Sequence, residues 1–287
     1  MSHPENPGRP VVAGVDGSPR SHIALRWAAE FAAHHQAPLH LVYAVEVPVE
    51  YGPGVSGPLF DGEILYAHGE SVVTGAAAEV ASVGDLVITT SVEVGDARAI
   101  LRQHSESARL VVLGSRGLGA VRRALLGSVS TAVARHGACP VAVVPESAVT
   151  TTGAVVVGVD GSRPSADAVA LAFDEASRRH VRVIAVRAWS ELFRYESRET
   201  MRAEADAELS ASLAGYGEKY PDLRVERIVV EDRPARAVLT AAAGAQLIVV
   251  GSHDRGGFAG AALGSVAQAI LHGAHCPLII ARPGAGN

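Results

Sequence analysis

The sequence predicts an α/β protein made of two tandem, doubly wound domains, each with a five-stranded parallel sheet. Two observations carry this prediction: the chain repeats itself, and each half alternates apolar runs with helical segments. Its 287 residues are about twice the length of an ordinary domain. Hydrophobic residues make up 48% of the chain and charged residues 19%, which is enough apolar material for two packed cores.

The internal repeat is visible at two offsets. Residues 11–21 (VVAGVDGSPRS) return at 155–165 (VVVGVDGSRPS), and residues 110–117 (LVVLGSRG) return at 247–254 (LIVVGSHD). The second offset is shorter than the first, so the first half carries an insertion. We place it in the Gly- and Pro-rich segment 47–63, which we interpret as a loop.

These repeats define the predicted domains. The first covers residues 1–147 and the second covers 153–287, with a short polar junction between them. Such a short junction favours two halves that pack side by side.

The first half reads as strands separated by helices. Ser18 is a suitable N-cap, and Pro19 fits the first helical position. Apolar residues at three- and four-residue spacing from Ile23 to Phe31 predict one buried helix face. The predicted strands are 11–15, 39–45, 86–94, 110–113 and 141–144, with further helices over about 67–82, from 97 and from 128.

The second half repeats this pattern, with strands predicted at 155–159, 182–188, 224–230, 247–250 and 278–281. Continuous Val, Leu and Ile runs, rather than strict alternation, predict strands that are buried on both faces of a parallel sheet. The last strand of each half is expected at a sheet edge. Ligands of doubly wound sheets bind at the carboxyl ends of the strands, where the strand order reverses.

Composition excludes several classes of protein. A net charge of −5 without a basic block argues against nucleic acid or an anionic membrane as the main partner. No apolar run approaches the ~18 to 20 residues of a membrane span, and the N-terminus lacks the apolar core of a signal peptide, so export is not expected. Lys219 is the only lysine and Tyr220 follows it, so the chain has no P-loop.

The most informative segment follows the fourth strand of each half. In the first half, Gly114, Gly117 and Gly127-Ser128 form a G-x2-G-x9-G-S pattern that opens onto a helix. Glycines allow positive φ and a close approach to a ligand, and amides at a helix N-terminus favour an anion. Together with the Ser128 hydroxyl and the arginines of the loop, this pattern predicts a polyphosphate site. Those arginines are Arg116, Arg122 and Arg123.

The alternative is a loop that only connects a strand to a helix. A second copy in the same strand–loop–helix context favours the functional interpretation. The pattern is not the dinucleotide fingerprint, because that motif follows the first strand, where this chain has Gly17-Ser18-Pro19.

These motifs resemble those of the universal stress protein family. The glycine loop, the VDGS and LVVLGS strand ends and the Cys-Pro pair before the last strand are similar to the family's motifs, and the duplication resembles its tandem, ATP-binding actinobacterial members. The resemblance implies adenine nucleotide alpha-hydrolase-like domains, ATP binding in each, and a homodimer or packing through the last strands. It also implies a cytoplasmic, non-enzymatic regulator of stress response, dormancy or growth.

Carried over by position, the resemblance assigns ATP-binding residues in the first half. These are Gly14, Val15 and Asp16 at the ribose and base, Ala44 beside adenine, Gly95 at the third-strand turn, and the phosphate-binding residues Gly114, Ser115, Arg116, Gly117, Leu118, Gly119, Ala120, Gly127, Ser128 and Val129. Mg²⁺ is expected as carried by ATP, near Asp16 or Asp160. No catalytic residue is assigned.

The second half matches with two departures. The matching residues are Gly158, Val159, Asp160, Ala188, Gly251, Ser252, His253, Arg255, Gly256, Gly257, Gly264, Ser265 and Val266. Asp254 stands where the second loop glycine belongs, and Asp232 stands where the first half has Gly95. Both place a carboxylate near the expected nucleotide, so the second site is predicted to bind more weakly or to depend more on Mg²⁺.

Several residues also have structural interpretations. Asp16 and Asp160 are suited to capping the turn that follows each first strand. Cys139 and Cys276 are predicted to be buried and unreactive, and the histidines lack the spacing of a metal motif.

Two other functions stay open. One is an ATP-using enzyme, either a slow ATPase or an adenylyl or phosphoryl transferase. His253 and Asp254 are the only loop pair suited to acid–base chemistry, and they occur in one half alone. The other is a ligand-free scaffold that acts by dimerising.

Overall fold

The computed structural model describes residues 8–46, 49–52, 55–58, 62–117, 126–146, 152–190, 197–253 and 263–282, with the backbone alone at 49–52 and 55–58. The chain divides into two compact units, Met1–Glu146 and Ser147–Asn287, called unit 1 and unit 2. Among the helices in the described ranges, none combines the length and apolar character needed to cross a bilayer.

Unit 1 alternates strands and helices. In chain order its elements are β1 (Val11–Gly14), α1 (Pro19–His34), β2 (Leu39–Val45), β3 (Val49–Gly52), β4 (Val55–Pro58), α2 (Gly62–Val80), β5 (Ile88–Val94), α3 (Ala97–His104), β6 (Leu110–Gly114), α4 (Ser128–His136) and β7 (Val141–Val144). Five of the strands pair in parallel, in the order β5-β2-β1-β6-β7. The order reverses between β1 and β6, which places a ligand cleft at the carboxyl ends of these strands.

Unit 2 repeats the arrangement. Its elements are β8 (Val155–Gly158), α5 (Arg163–Arg178), β9 (Val183–Trp189), α6 (Arg198–Leu213), α7 (Tyr216–Lys219), β10 (Val225–Glu231), α8 (Pro234–Ala241), β11 (Leu247–Gly251), α9 (Ser265–Gly273) and β12 (Leu278–Ala281). The strands pair in parallel in the order β10-β9-β8-β11-β12. The predicted α/β fold is confirmed, and β7 and β12 each end the strand order of their own unit.

The first helices begin as the sequence predicts. Ser18 caps α1 by accepting a hydrogen bond from the Ser21 amide at 3.2 Å, and Pro19 occupies the first turn. Trp27 and Phe31 lie on the buried face of this helix. In unit 2, Ser162 caps α5 in the same way.

Segment 47–63 contains structure that the loop interpretation missed. β3 and β4 form an antiparallel hairpin with Val49 opposite Pro58 and Gly52 opposite Val55, and α2 begins at Gly62. Glycine and proline usually mark loops, but both are tolerated in edge strands, and within the described residues β3 and β4 pair only with each other.

The central strands are buried on both faces as predicted, but the outer strands β5 and β10 are not. β5 reads ITTSVEV and β10 reads VERIVVE, and both are largely half-exposed or exposed. An outer strand has a neighbour on one side only and needs helix cover on just one face, so polar residues are accommodated there.

Candidate functional site

The first strand of unit 1 ends in a tight turn at the carboxyl edge of the sheet. The Ser18 amide donates to Asp16 Oδ1 at 2.9 Å, and the Asp16 amide donates to Ser21 Oγ at 3.4 Å. Gly17 has φ of +76°, a left-handed conformation that favours glycine. Asp16 therefore shapes this turn, and it also lines the adjacent cleft.

Unit 2 repeats the turn. The Ser162 amide donates to Asp160 Oδ1 at 2.8 Å, and the Asp160 amide donates to Ser165 Oγ at 3.1 Å. Gly161 has φ of +77°. Both aspartates thus have the structural role that the sequence left open, in addition to their place at the clefts.

Backbone hydrogen bonds hold the two ends of the glycine loop of unit 1 together. The Ser115 amide donates to Val144 O at 2.9 Å, and the Gly127 amide donates to Ser115 O at 2.7 Å. The Ser130 hydroxyl donates to the same carbonyl at 3.1 Å. This arrangement places the first loop residues beside the start of α4. Leu118, Gly119 and Ala120 lie outside the described residues.

The helices that follow the glycine loops begin without a side-chain cap, as α7 and α8 also do. Ser18, Asp96, Ser162 and Ser197 cap their helices with a side-chain oxygen, whereas α4 and α9 are capped by Gly127 and Gly264, which provide none.

At α4 the consequence is two open donors. In the described part of the chain, no hydrogen bond is made by the amides of Ser128 and Val129. Such N–H groups at a helix N-terminus, with the helix dipole behind them, bind anions.

A cleft of about 870 Å³ lies at this edge of unit 1. That volume is in the ~300–1,000 Å³ range of small-molecule sites. Ten predicted site residues line it: Gly14, Val15, Asp16, Ala44, Gly114, Arg116, Gly117, Gly127, Ser128 and Val129. Ser115 contributes its backbone to the loop rather than a lining surface, and Gly95 follows β5 with φ of +148°.

The described loop glycines are required for a different reason from the predicted one. Gly114, Gly117 and Gly127 all lie outside the left-handed region, so the expectation of positive φ is wrong for them. A Cβ on Gly117 would lie well under 3.0 Å from Asp16 Oδ2, and a Cβ on Gly14 would lie 2.5 Å from Leu113 Cδ2. A side chain at either position would displace the Asp16 carboxylate or the Leu113 side chain, so close approach, rather than φ, favours glycine here.

Sequence reasoning missed Tyr43, which lines the same cleft. Burial raises the pKa of its phenol, and the negative charge of Asp16 raises it further, so the hydroxyl stays a hydrogen-bond donor at neutral pH. The sequence did hold a signal for this residue, because Tyr43 directly precedes the predicted site residue Ala44 near the end of β2. Arg98 and Leu101 of α3 also line the cleft and follow the predicted turn at Gly95.

The cleft of unit 2 is smaller, about 230 Å³. The predicted residues that line it are Gly158, Val159, Asp160, Ala188, Gly251, His253 and Val266. Arg187, Pro234 and Val238 also line it and were not predicted. Ser252, Gly264 and Ser265 belong to the loop ends, where the Gly264 amide donates to Ser252 O at 2.8 Å. Asp254, Arg255, Gly256 and Gly257 lie outside the described residues.

Comparison with known proteins places this architecture in a family. The pattern of the universal stress protein family matches residues 8–145 and again residues 152–282. The chain belongs to the universal stress protein family. Universal stress protein Rv2005c of Mycobacterium tuberculosis is 42% identical over 290 residues, covering 95% of this chain and 96% of the relative. A second protein of that organism, Rv1996, is 40% identical over 300 residues, covering 95% and 94%.

Solved structures of universal stress proteins share the fold. One from Archaeoglobus fulgidus aligns with a TM-score of 0.72 at 18% identity, covering 97% of both chains. One from Pseudomonas aeruginosa aligns with a TM-score of 0.66 at 19% identity, covering 96% of this chain and 93% of the other. The resemblance to a tandem universal stress protein is therefore confirmed.

The contacts of Asp232 in this universal stress protein differ from what the sequence led us to expect. Asp232, expected to bring a carboxylate to the second nucleotide, is paired with Arg236, whose Nε donates to Oδ1 at 2.6 Å. The Asp232 amide donates to Trp189 O at 3.0 Å, as the Gly95 amide does to Val45 O, so the turn itself matches the first half.

The cysteines are buried, as predicted. Cys139 is 3% exposed and Cys276 is 6% exposed. Burial raises the pKa of the Cys276 thiol to about 11, which keeps it protonated and unreactive at neutral pH.

Proposed function

We propose that this universal stress protein is a regulator that binds ATP in the cleft of unit 1. The observation that carries the proposal is the glycine-capped start of α4, where the Ser128 and Val129 amides are open beside Gly117 and Asp16. Open amides at a helix N-terminus, in a cleft of small-molecule size, favour a phosphate-bearing ligand.

The remaining lining residues suit the other parts of a nucleotide. Arg116 supplies positive charge at the loop, where the phosphates would lie. Asp16 and the Tyr43 hydroxyl offer an acceptor and a donor for ribose hydroxyls, and Asp16 also suits a Mg²⁺ ion that the phosphates carry. Ala44 and Val15 provide a backbone and apolar surface for the base.

Unit 2 supports a second, weaker ATP site. It repeats the Asp-Gly-Ser turn and the glycine-capped helix, which favours the same ligand class. Its cleft is smaller and mostly apolar, and His253 lines it at the position of Arg116. A guanidinium with five N–H donors is thus replaced by an imidazole with at most two.

An ATP-using enzyme is the second candidate, because His253 lies in the unit 2 cleft and its Nδ1 is 3.0 Å from Ser252 Oγ. The matching residue of unit 1 is Arg116, which does not act as a general base. We therefore favour a binder that turns over ATP slowly or not at all.

Mass spectrometry of the ligand released from freshly purified, denatured protein tests the proposal. We expect an adenine nucleotide at about one equivalent per chain or less, and no steady multiple-turnover hydrolysis when ATP is added. Ligand-free protein that also fails to bind added ATP would support the scaffold alternative. Steady hydrolysis that His253→Ala abolishes would support the enzyme.

A further inference from the structure

A chain of hydrogen bonds in unit 1 has no part in the proposed nucleotide site. It joins β2, β5 and the last residue of α3 through His40, Ser91, Glu93 and His104, and we call it the histidine–carboxylate chain. His40 Nε2 lies 3.1 Å from Ser91 Oγ, and the Ser91 hydroxyl donates to Glu93 Oε1 at 3.0 Å. His104 Nε2 lies 2.5 Å from the same carboxylate oxygen. The centroids of the two imidazole rings are 5.2 Å apart.

The direction of these bonds fixes the protonation of His40. Because the Ser91 hydroxyl donates to Glu93, its oxygen accepts from His40, so Nε2 carries the hydrogen. His40 Nδ1 then accepts from the Thr89 hydroxyl, 2.8 Å away. Neutral His40 therefore has both ring nitrogens bonded. A second proton would reverse the Thr89 hydrogen bond and place a cation beside His104.

The surroundings of His40 oppose that second proton. Burial lowers the pKa of His40 below its usual 6.5, the charge of His104 lowers it further, and Glu93 partly offsets both. Among the described residues, these are the charged groups that act on His40: Glu93 from β5 and His104 from α3. On β1, the neighbour of His40 is the apolar Val12.

Glu93 titrates in the same direction. Burial raises its pKa, but the hydrogen bonds from His104 and Ser91 and the charges of the two histidines lower it more, to a value below the usual 4.5. A histidine with a lowered folded pKa loses stability as pH falls below its unfolded value. A carboxylate with a lowered pKa loses stability at still lower pH. His40 therefore weakens this packing from about pH 6.5 downward, and Glu93 adds to the loss only below its usual 4.5.

Unit 2 provides a built-in comparison. The positions that match His40, Ser91, Glu93 and His104 hold Ile184, Ile228, Val230 and Ala241. The strand register supports this match, since Ile184 pairs with Glu226 on β10 as His40 pairs with Thr89 on β5. None of the four matching residues of unit 2 ionises.

The chain is connected to the cleft through α3. His104 is its last residue, whereas Ala97, Arg98 and Leu101 near its start line the cleft. Leu101 Cδ1 would lie 3.2 Å from a Cβ placed on Gly14, so α3 packs directly on the end of β1. Any loosening of α3 thus reaches the cleft floor.

We propose that the histidine–carboxylate chain makes the packing of α3 sensitive to pH, so that mild acidification loosens α3 while the matching helix α8 keeps its packing. A lower affinity of unit 1 for ATP in acid would follow, and that consequence rests on the proposed function. The loosening of α3 does not, because it concerns the unliganded protein.

Hydrogen exchange followed by mass spectrometry on the unliganded full chain tests this proposal. Protection factors, corrected for intrinsic exchange rates, are compared for residues 97–104 and 234–241 at about pH 7.5 and about pH 5.5. The expected result is a fall in protection of α3 relative to α8. The fall has an upper limit of about tenfold for each pH unit by which folding lowers the pKa of His40.

Two variants that introduce residues of unit 2, His40→Ile and His104→Ala, should remove the difference in pH response. His104→Gln keeps a hydrogen-bond donor near Glu93 without an ionisable ring, so it should preserve protection at the higher pH and reduce the pH dependence. Equal responses of α3 and α8 in the wild type would overturn the proposal, whatever the variants do. So would an unchanged pH response in His40→Ile.

Discussion

At the scale of single residues, the approach of Gly117 to Asp16 sets the shape of the unit 1 cleft. A side chain at position 117 would collide with the Asp16 carboxylate. In the sequence of unit 2, Asp254 matches Gly117 and Asp160 matches Asp16. We therefore expect Asp254 to bring a carboxylate to the place where the sequence predicts a phosphate.

Asp254→Gly should strengthen ATP binding in unit 2. A carboxylate about 5 Å from a phosphate charge, at an effective dielectric of about 20, adds at most roughly 3 kcal/mol of repulsion. Since a bridging Mg²⁺ would reverse that repulsion, the gain should be largest without the ion. Calorimetry in a Gly117→Val background, which isolates unit 2, measures the change. Equal affinities before and after the substitution, with and without Mg²⁺, would refute this prediction.

Sequence reasoning located the glycine loop and the first-strand end of the unit 1 cleft but misjudged why some of these residues are there. Gly14 and Gly114 were assigned to the ligand, yet each also lets another element approach. A Cβ on Gly14 would meet Leu113, and one on Gly114 would lie 3.2 Å from Arg20 O. Such requirements arise from elements distant in sequence, so a motif cannot reveal them. Tyr43 was missed for the same reason. Its hydroxyl can serve as a donor in the cleft because the fold brings it close to Asp16, which is distant in sequence.

At the scale of elements, the two helices that follow the glycine loops begin without a side-chain cap, as α7 and α8 also do. Serine or aspartate caps satisfy the first amides of α1, α3, α5 and α6, whereas glycine caps leave this task to other groups at α4 and α9. Glycine in place of a serine or aspartate cap lowers stability by only a few tenths of a kcal/mol. A helix start that is left open for an anion therefore destabilises the fold very little.

Ser18→Ala should destabilise unit 1 by about 1 kcal/mol, because the Ser21 amide loses its acceptor. Ser18→Thr keeps a hydroxyl acceptor and should recover most of the loss. Urea unfolding followed by tryptophan fluorescence reports the change, since Trp27 lies in α1. The prediction fails if the alanine variant unfolds at the same urea concentration as the wild type.

The hydrophobic pattern predicted the inner strands well but failed to predict the exposure of the outer strands and the β3–β4 hairpin. Apolar runs located β1, β6, β7 and their repeats to within a residue or two. β5 was also located, but its two-sided burial was wrongly expected, because exposure depends on which neighbours a strand has. The hairpin β3–β4 was missed because glycine and proline conceal its short pairing.

At the scale of the whole molecule, two copies of one fold carry unequal clefts and unequal outer faces. Unit 1 has the larger cleft and the histidine–carboxylate chain, whereas unit 2 has apolar residues at the matching positions. Duplication has thus kept the sheet and the glycine-capped helices while the surrounding residues diverged.

Assembly of the full chain stays a prediction. The resemblance implies association through the last strands, and both β7 and β12 are apolar along their whole length. We expect a homodimer at micromolar concentration, measured by analytical ultracentrifugation. A strict monomer across that range would contradict it.

The central claim is that unit 1 binds ATP at the start of α4. Isothermal titration calorimetry with ATP and Mg²⁺ on the wild type, Gly117→Val and Gly75→Ala tests it most directly. Gly75 lies in α2, and a Cβ there has no neighbour within 4 Å, so its substitution is a matched control. We predict that Gly117→Val loses the tighter binding event and stays folded, whereas Gly75→Ala binds like the wild type. Unchanged ATP affinity in folded Gly117→Val would contradict the account.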